Sequence, residues 1–273
     1  MRVGSGAVSD QVFINYWIGQ EPTPPSPGLG QMPAQVHIAP LAFVSITDDY
    51  ALDFSFLCTT NSAEQIQAWI KEVRANGTKV LFSINDVKLG TIPDIPAFVA
   101  GVVEDVVTWG VDGIDFDWEP RTLRDDGTLV PVVAALRQAL DERLGSCVLT
   151  APVWSPWQFH PQLLKDLAAE LDYVTTMDYT PYQGLEETQS LVDTYVAAIG
   201  TPSKIVVGVS CMEPPNNFTP LADVVTLCRW EPDAGAKGGM MLYTYSYDIT
   251  TRKGGGTGEP DFAFTQAIVA NLP

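Results

Sequence analysis

Residues Val111–Pro120 read VDGIDFDWEP, and the alternation of side chains in this stretch decides the fold. Successive side chains of a β-strand point to opposite faces. Ile114, Phe116 and Trp118 therefore share one face, which can pack beneath outer helices. The other face carries only glycine and acids, namely Gly113, Asp115, Asp117 and Glu119. A strand with these two faces fits the wall of a barrel whose interior leads to an acidic site.

The three carboxylates of this face predict acid–base chemistry. Alternate positions of a strand lie roughly 6–7 Å apart, so neighbouring carboxyl groups can touch. Burying like charges together is costly, and at least one proton is then shared among them. We expect Asp115 and Asp117 to hold a proton between them, and Glu119 to have a raised pKa. A carboxylic acid that stays protonated near neutral pH is suited to protonating a glycosidic oxygen.

Strand-like and helix-like segments alternate on both sides of this stretch. Eight strands are predicted, over Val12–Trp17, His37–Ile46, Lys79–Ile84, Val111–Trp118, Cys147–Trp154, Tyr173–Tyr179, Lys204–Ser210 and Gly239–Tyr245. Helices are predicted between most of them, the first with Ser62 as N-cap and Gln65 completing a capping box. Strict alternation implies parallel strands joined by right-handed crossovers. The predicted fold class is α/β, a single (β/α)8 TIM barrel.

This barrel is predicted to occupy residues 12–273, after an N-terminal tail of residues 1–11. Its first βα unit is irregular, because five prolines between Glu21 and Pro33 leave little room for a helix. The longest loops after strands are 21–33, 85–96, 120–128 and 251–260. In a barrel they lie on the C-terminal face, where active sites are found.

Composition limits the partners of the chain. Its 273 residues include 15 basic and 33 acidic ones, which gives a net charge of −18. Such a surface repels phosphate groups, so nucleic acids and anionic membranes are not expected as partners. The 10% aromatic content, with seven tryptophans, suits carbohydrate, because sugar rings stack on aromatic faces. No window of 18 apolar residues predicts a transmembrane helix. No cofactor is expected, since neither GxGxxG nor GxxxxGK[ST] follows the first strand.

Cysteine and histidine are too sparse for a structural zinc site, since the four cysteines form no CxxC pair and only two histidines are present. Cys211 and Cys228 are close enough in sequence for one bridge, but four free buried thiols are an equal alternative. An acidic cluster can also bind Ca²⁺ or Mg²⁺, and Asn85, Asp86 and Asp178 could complete such a site. No metal site is predicted.

Residues 112–119, DGIDFDWE, match the DGxDxDxE signature of glycoside hydrolase family 18 at every fixed position. Shorter matches at other strand ends extend the resemblance over most of the chain, at Tyr16, Ala42-Phe43, KVLFSI (79–84), Met177-Asp178-Tyr179 and GGMML (238–242). The family contains chitinases and endo-β-N-acetylglucosaminidases. The resemblance implies secretion, although residues 1–10 lack the pattern of a signal peptide.

Three of the shorter motifs depart from the family pattern. Asn85-Asp86 stand where the family usually has Gly-Gly, and Thr180 stands where it often has Asp. Tyr243 replaces the tryptophan that floors the catalytic subsite. These departures bear on the substrate more than on the mechanism.

The resemblance implies a role for each matching residue. Glu119 is the general acid and then the general base, while Asp117 orients the acetamido group of the substrate. Asp115 holds Asp117, and Tyr179 bonds the acetamido oxygen. Substrate contacts are expected from Tyr16, Phe43, Trp154, Met177, Asp178, Tyr182 and Tyr243, and Trp157 is a further stacking candidate. The reaction uses the acetamido group as nucleophile and retains the anomeric configuration.

The substrate is left open between two kinds of N-acetylglucosamine-containing glycan. One is a β-1,4-linked chain, as in chitin or chito-oligosaccharides, cut from within. The other is the chitobiose core of N-glycans, which Tyr243 favours. The segment Cys211–Lys237 is too short for the insertion that deepens the cleft of many relatives, so a shallow groove on a monomer is expected. A non-catalytic sugar-binding barrel and a metal-dependent hydrolase are alternatives of other classes.

Overall fold

The computed structural model describes residues 11–19, 27–120, 127–154, 161–179, 184–212, 218–250 and 257–273. Its strands are β1 (Val12–Asn15), β2 (Trp17–Ile18), β3 (Ile38–Ile46), β4 (Leu52–Asp53), β5 (Lys79–Asn85), β6 (Gly113–Asp117), β7 (Val148–Val153), β8 (Tyr173–Thr176), β9 (Ile205–Ser210) and β10 (Gly239–Tyr243). The α-helices within those ranges are α1 (Ala63–Ala75), α2 (Ile95–Trp109), α3 (Leu129–Leu144), α4 (Pro161–Glu170), α5 (Leu185–Ile199), α6 (Leu221–Arg229) and α7 (Ala263–Asn271).

The strands form a closed ring of eight parallel members. Its order is β1, β10, β9, β8, β7, β6, β5, β3, and a pairing of Ile14 with Ile38 joins β3 back to β1. β2 continues β1 beyond Tyr16 and pairs with β3, so the two segments together make one strand of the ring. The sequence prediction of a single (β/α)8 barrel without an insertion domain is confirmed.

Hydrophobic residues form an outer and an inner core. The outward side chains of β6, Ile114 and Phe116, and the Trp118 side chain just after the strand are buried together with apolar side chains of the helices. A smaller cluster that includes Ile14, Leu81 and Met241 fills the interior of the ring. Parallel strands buried on both faces read as long apolar runs, which is why β3 and β9 contain almost no polar residues.

Helix ends follow the signals in the sequence. The hydroxyl of Ser62 accepts a hydrogen bond from the backbone N–H of Gln65 at 3.3 Å, which fixes the start of α1. Gly77 follows the end of that helix with a φ of 97°, a conformation that L side chains rarely adopt. The first βα unit is irregular in its described part, where only a 3-10 turn at Leu29–Gln31 precedes β3.

The register between β5 and β6 prepares the site. Ser83 lies opposite Asp115, and Asn85 lies opposite Asp117. Side chains at paired positions of neighbouring parallel strands point to the same face. Two acids of β6 therefore each face a polar side chain of β5 inside the ring.

Several strands are shorter than the sequence predicts, and two of these differences affect the site. β6 ends at Asp117 and β8 at Thr176. In both places the chain bends within two residues, because the backbone N–H of Trp118 donates to the carbonyl of Phe116 and that of Tyr179 to the carbonyl of Met177. Glu119 therefore lies two residues beyond the end of the regular strand, and it lines the same pocket as Asp117.

All four cysteines are free thiols, so a bridge between Cys211 and Cys228 is not formed. Within the described ranges, no helix has both the length and the apolar character needed to span a bilayer.

Candidate active site

A pocket of about 450 Å³ opens at the C-terminal ends of the strands. It is lined by Tyr16, Phe43, Asp117, Glu119, Pro152, Trp154, Met177, Asp178, Tyr179, Met241 and Tyr243. Nine of these are residues that the sequence proposes for the site. Asp115 lies below the pocket, and Tyr182 and Trp157 lie outside the described residues.

Asp115 is the deepest of the three acids and is fully buried. Its Oδ2 accepts hydrogen bonds from the hydroxyls of Tyr16 (2.8 Å) and Ser83 (2.7 Å), and its Oδ1 accepts one from the hydroxyl of Thr150 (2.5 Å). Burial raises the pKa of Asp115, and the three hydrogen bonds oppose that rise. Asp115 therefore anchors three strands beneath the pocket.

Asp117 lies one step nearer the mouth and is 3% exposed. Its Oδ2 accepts a hydrogen bond from Asn85 Nδ2 at 2.7 Å. Its Oδ1 is buried and receives no hydrogen bond from any N–H or hydroxyl group of the described chain. A buried acceptor without a donor lowers the stability of the fold, so a ligand whose N–H or O–H group donates to this oxygen would be bound favourably.

Asp117 and Glu119 form a coupled pair of carboxyl groups. Burial raises the pKa of Asp117 well above its ordinary value, and repulsion from Glu119 and, more weakly, from Asp115 raises it further. A hydrogen bond between the two carboxyl groups acts in the same direction. Burial and the neighbouring carboxyl groups therefore all favour the protonated form of Asp117.

This arrangement differs from the proton sharing expected between Asp115 and Asp117. The hydrogen-bonding partners of Asp115 are hydroxyl groups on β5, β7 and the first strand, whereas the carboxyl partner of Asp117 is Glu119. The reason is the hydroxyl-rich floor of the barrel, which saturates Asp115.

Glu119 stands at the exposed rim of the pocket. The bend after Asp117 carries it there, and the buried indole of Trp118 anchors the bend by donating to the carbonyl of Val87 at 3.1 Å. The Trp118 ring also packs on Gly90, where an added Cβ would lie 3.1 Å from the ring. Glu119 can thus reach both a bound ligand and water.

Aromatic rings form the walls around the acids. The rings of Tyr179 and Tyr243 are nearly parallel, with centroids 6.5 Å apart. Tyr16 packs edge-on against Tyr243 at 5.9 Å, and Phe43 lies 6.5 Å from the same ring. Burial raises the pKa of the Tyr179 hydroxyl, which therefore remains an O–H donor.

Trp154 and Met177 complete the pocket from two other strand ends. The Trp154 ring follows β7 and is 46% exposed, so it presents a large apolar face at the mouth. The carboxyl group of Asp178, unlike those of Asp117 and Glu119, is bound to a helix: its Oδ2 accepts a hydrogen bond from the hydroxyl of Tyr195 on α5 at 2.6 Å. That bond ties the segment after β8 to a helix.

Sequence reasoning missed several polar and apolar neighbours of the acids. Ser83 and Thr150 bond Asp115, and Pro152 lines the pocket. The alternation of side chains along β5 and β7 could have identified them. Ser83 lies on the same face of β5 as Asn85, and Thr150 and Pro152 lie on the same face of β7 as Trp154. Among the described residues, no group of three His, Cys, Asp or Glu side chains could hold a metal ion. Asp86 bonds the backbone N–H groups of Ile46 and Lys88 instead.

The sequence profile of glycosyl hydrolases family 18 matches residues 12–224, well over half of the chain. The chain belongs to this family. No curated protein matches it by sequence. Family 18 structures are nevertheless close in fold. A protein from Streptomyces coelicolor assigned as chitinase A has 16% identity and a TM-score of 0.76, covering 96% of this chain and 98% of its own.

Two further solved structures extend this likeness. The catalytic domain of a chitinase from the fern Peteris ryukyuensis has 17% identity and a TM-score of 0.73, covering 96% of this chain and 99% of its own. YKL-39, solved in the presence of chitooligosaccharides, has 13% identity and a TM-score of 0.72, with coverages of 96% and 99%. At such identities the likeness establishes the barrel, while activity rests on the site itself.

Proposed function

We propose that this family 18 barrel is an endo-acting glycoside hydrolase for β-1,4-linked N-acetylglucosamine chains, which retains the anomeric configuration. The observation that carries the proposal is the Oδ1 atom of Asp117. It is buried, has no donor among the described residues, and lies in a pocket beside the exposed carboxyl group of Glu119. An acetamido N–H is a donor of the right kind for that oxygen.

Binding of the acetamido group starts the reaction. When the N–H of the sugar in the pocket donates to Asp117 Oδ1, it favours the ionised form of Asp117. The proton of the pair then moves to Glu119. Glu119 faces the rim, where the glycosidic oxygen of a chain lying across the pocket would be.

In the first chemical step Glu119 donates its proton to the glycosidic oxygen, and the bond from that oxygen to the anomeric carbon breaks. The acetamido carbonyl oxygen forms a new bond to the same carbon, which gives an oxazolinium ion. The Asp117 carboxylate stabilises its positive charge, and the Tyr179 hydroxyl donates to the attacking oxygen. Holding this internal nucleophile at attack distance contributes several kcal/mol.

In the second step Glu119 acts as general base. It takes a proton from a water molecule, whose oxygen attacks the anomeric carbon as the bond to the acetamido oxygen breaks. Two inversions at one carbon retain the configuration. The exposure of Glu119 supports this step, because the water arrives from solvent.

The aromatic walls supply binding energy for neutral sugars. Tyr243 would floor the central sugar, and Phe43, Tyr16 and Met177 would surround it. Trp154 would stack on a sugar at the mouth. The same walls suit the chitobiose core of N-glycans. Tyr243, whose ring is smaller than that of the tryptophan usual in the family, favours this second substrate.

The first prediction concerns Glu119→Gln. We expect kcat on a chitin hexasaccharide to fall by about 10²–10⁴-fold, because the amide cannot donate or accept the transferred proton. Binding of the oligosaccharide, measured by calorimetry, should persist. Glu142→Gln on the exposed face of α3 is the matched control and should retain full activity.

Mass spectrometry of products from the hexasaccharide and from an N-glycosylated protein decides between the two substrates. Equal activity with and without EDTA would exclude a metal-dependent hydrolase. Binding without any product from either substrate would point to a sugar-binding barrel and overturn the proposed function.

A further inference from the structure

Asn85 connects the two carboxyl groups of the site. It is the last residue of β5 and lies opposite Asp117 in register. Its Nδ2 atom donates to Asp117 Oδ2 at 2.7 Å and to Glu119 Oε1 at 3.2 Å. One amide nitrogen thus bridges two acids that lie on either side of the bend: Asp117 at the end of β6 and Glu119 at the rim of the pocket.

We infer that Asn85 is a positioning residue that holds Asp117 and Glu119 in their reactive arrangement. The catalytic part of this inference rests on the proposed function. A primary amide nitrogen carries two hydrogens, so a single Nδ2 can donate to both acids at once. The amide is also neutral and cannot take the proton that the pair exchanges. Asp, Ser or Gly at this position would lack one or both of these properties.

The first consequence is the orientation of Asp117. Since the amide holds Oδ2 at 2.7 Å, Oδ1 is the oxygen to which no described residue donates. The carboxyl plane is therefore set by β5 before any ligand enters. Without Asn85 the carboxyl group is free to rotate, and the acceptor for the acetamido N–H is lost for part of the time.

The second consequence is electrostatic. The groups that face Asp117 are the carboxyl groups of Asp115 and Glu119 and the phenols of Tyr16, Tyr179 and Tyr243. None of the described residues that line the pocket is a lysine or an arginine. The hydrogen bond from Asn85 lowers the pKa of Asp117 against the stronger effect of burial. Asn85 thus keeps the ionised form of Asp117 accessible.

A merely structural asparagine would end β5 without affecting the acids. The two roles are separated by measuring the pKa of Asp117 directly, with ¹³C-labelled aspartate side chains followed by NMR and Asp117→Asn used for assignment. In Asn85→Ala we expect this pKa to rise by about one unit, the size of one lost hydrogen bond to a charged acceptor. In Asn85→Asp, which keeps the shape but replaces the donor, the rise should be larger.

This titration does not require hydrolysis, so it distinguishes failure of this inference from failure of the proposed function. An unchanged pKa of Asp117 in both variants overturns the inference, whatever the activity. A raised pKa supports it even if the wild-type chain cleaves neither substrate. Asn76→Ala, at the exposed end of α1, is the matched control and should leave the pKa of Asp117 unchanged.

Kinetics on the chitin hexasaccharide provide the second readout. In Asn85→Ala we expect kcat to fall about 10-fold with KM within about 2-fold, because the lost contact acts on the reacting acids rather than on sugar binding. The acid limb of the pH profile should move to higher pH, since the doubly protonated pair persists to higher pH. With an active wild-type enzyme, an unchanged kcat and pH profile in this variant would overturn the inference. Circular dichroism spectra and melting temperatures establish that the variants are folded.

Discussion

Asp117 is buried in a setting that favours its protonated form. Its folded-state pKa is raised well above the ordinary 3.8 by burial and by Glu119. Between these two pKa values the folded state binds more protons than the unfolded state, so stability falls as pH rises through this window. At neutral pH the site therefore reduces the free energy of unfolding.

Asp117→Asn should consequently raise the melting temperature at pH 7 while abolishing activity. The gain is expected to be roughly 2–4 °C for each kcal/mol recovered, and it should shrink as the pH is lowered toward 4. Calorimetry at several pH values measures it. Asp233→Asn on an exposed turn is the control, with no expected change. A lower melting temperature for Asp117→Asn at every pH would show that the carboxylate stabilises the fold.

Trp154 tests the role of the exposed aromatic rim. Trp154→Ala should raise KM for a chitin hexasaccharide about 5- to 10-fold, because burial of an apolar ring face against sugar contributes on the order of 1 kcal/mol. kcat should change little, since the ring carries no group that takes part in the proton transfer. Val269→Ala, also an exposed apolar side chain but on α7, is the control. An unchanged KM would remove Trp154 from the binding surface.

At the level of elements, Asp248 fixes the last helix to the barrel. It follows β10 and is fully buried. Its Oδ1 accepts from the backbone N–H of Phe264 at 3.1 Å and its Oδ2 from that of Thr265 at 2.7 Å. It therefore satisfies two of the unpaired donors at the start of α7, which has no capping side chain at the preceding residue, Phe262.

Asp248→Ala should lower the free energy of unfolding by about 1–3 kcal/mol, because two buried N–H groups lose their acceptor. Urea unfolding measures this loss. Glu104→Ala on the exposed face of α2 should change stability by less than about 0.5 kcal/mol. An Asp248 variant as stable as that control would mean that other groups take over the two donors.

The order of strands and helices could be predicted because each element carries a strong local pattern. Apolar runs bounded by turn residues marked the strands, and Ser62 marked the start of α1. The end of β6 could not be predicted in this way, because the alternation of side chains continues through Trp118 and Glu119. The bend after Asp117 depends on the anchoring of Trp118 by Val87 and Gly90, which are distant in sequence.

The partners of the site acids were also only partly predictable. DGIDFDWE identified the acids themselves, and the strand ends identified most of the pocket. The bridge from Asn85 depends on the register between β5 and β6, which no single strand pattern contains. The same holds for the three hydroxyl groups around Asp115, since they come from three different strands.

At the scale of the whole molecule, we expect the net charge of −18 to affect how fast charged oligosaccharides associate with the protein. The exposed Asp48 and Asp49 follow β3 on the face that carries the pocket. Such charges attract cationic ligands from a distance and have little effect on neutral ones. Partly de-N-acetylated chitin oligosaccharides are cationic, whereas fully acetylated ones are neutral.

We therefore expect kcat/KM for partly de-N-acetylated oligosaccharides to fall several-fold when salt is raised from about 0.01 M to about 0.15 M. For the fully acetylated hexasaccharide the value should stay constant, which provides an internal control. Steady-state kinetics at matched pH measure both. The same salt dependence for the two substrates would mean that the surface charge does not guide capture.

The pairing of β1 with β10 has a consequence for biosynthesis. The ring joins a strand that begins at Val12 to one that ends at Tyr243, and Asn15 also bonds Thr265 of α7. A ribosome releases the first of these segments long before the last. Until then the emerging chain carries unpaired strand edges, which invite association with other nascent chains. The ring can therefore close only after β10 has emerged from the ribosome, and we expect the need for chaperones to be greatest just before that point.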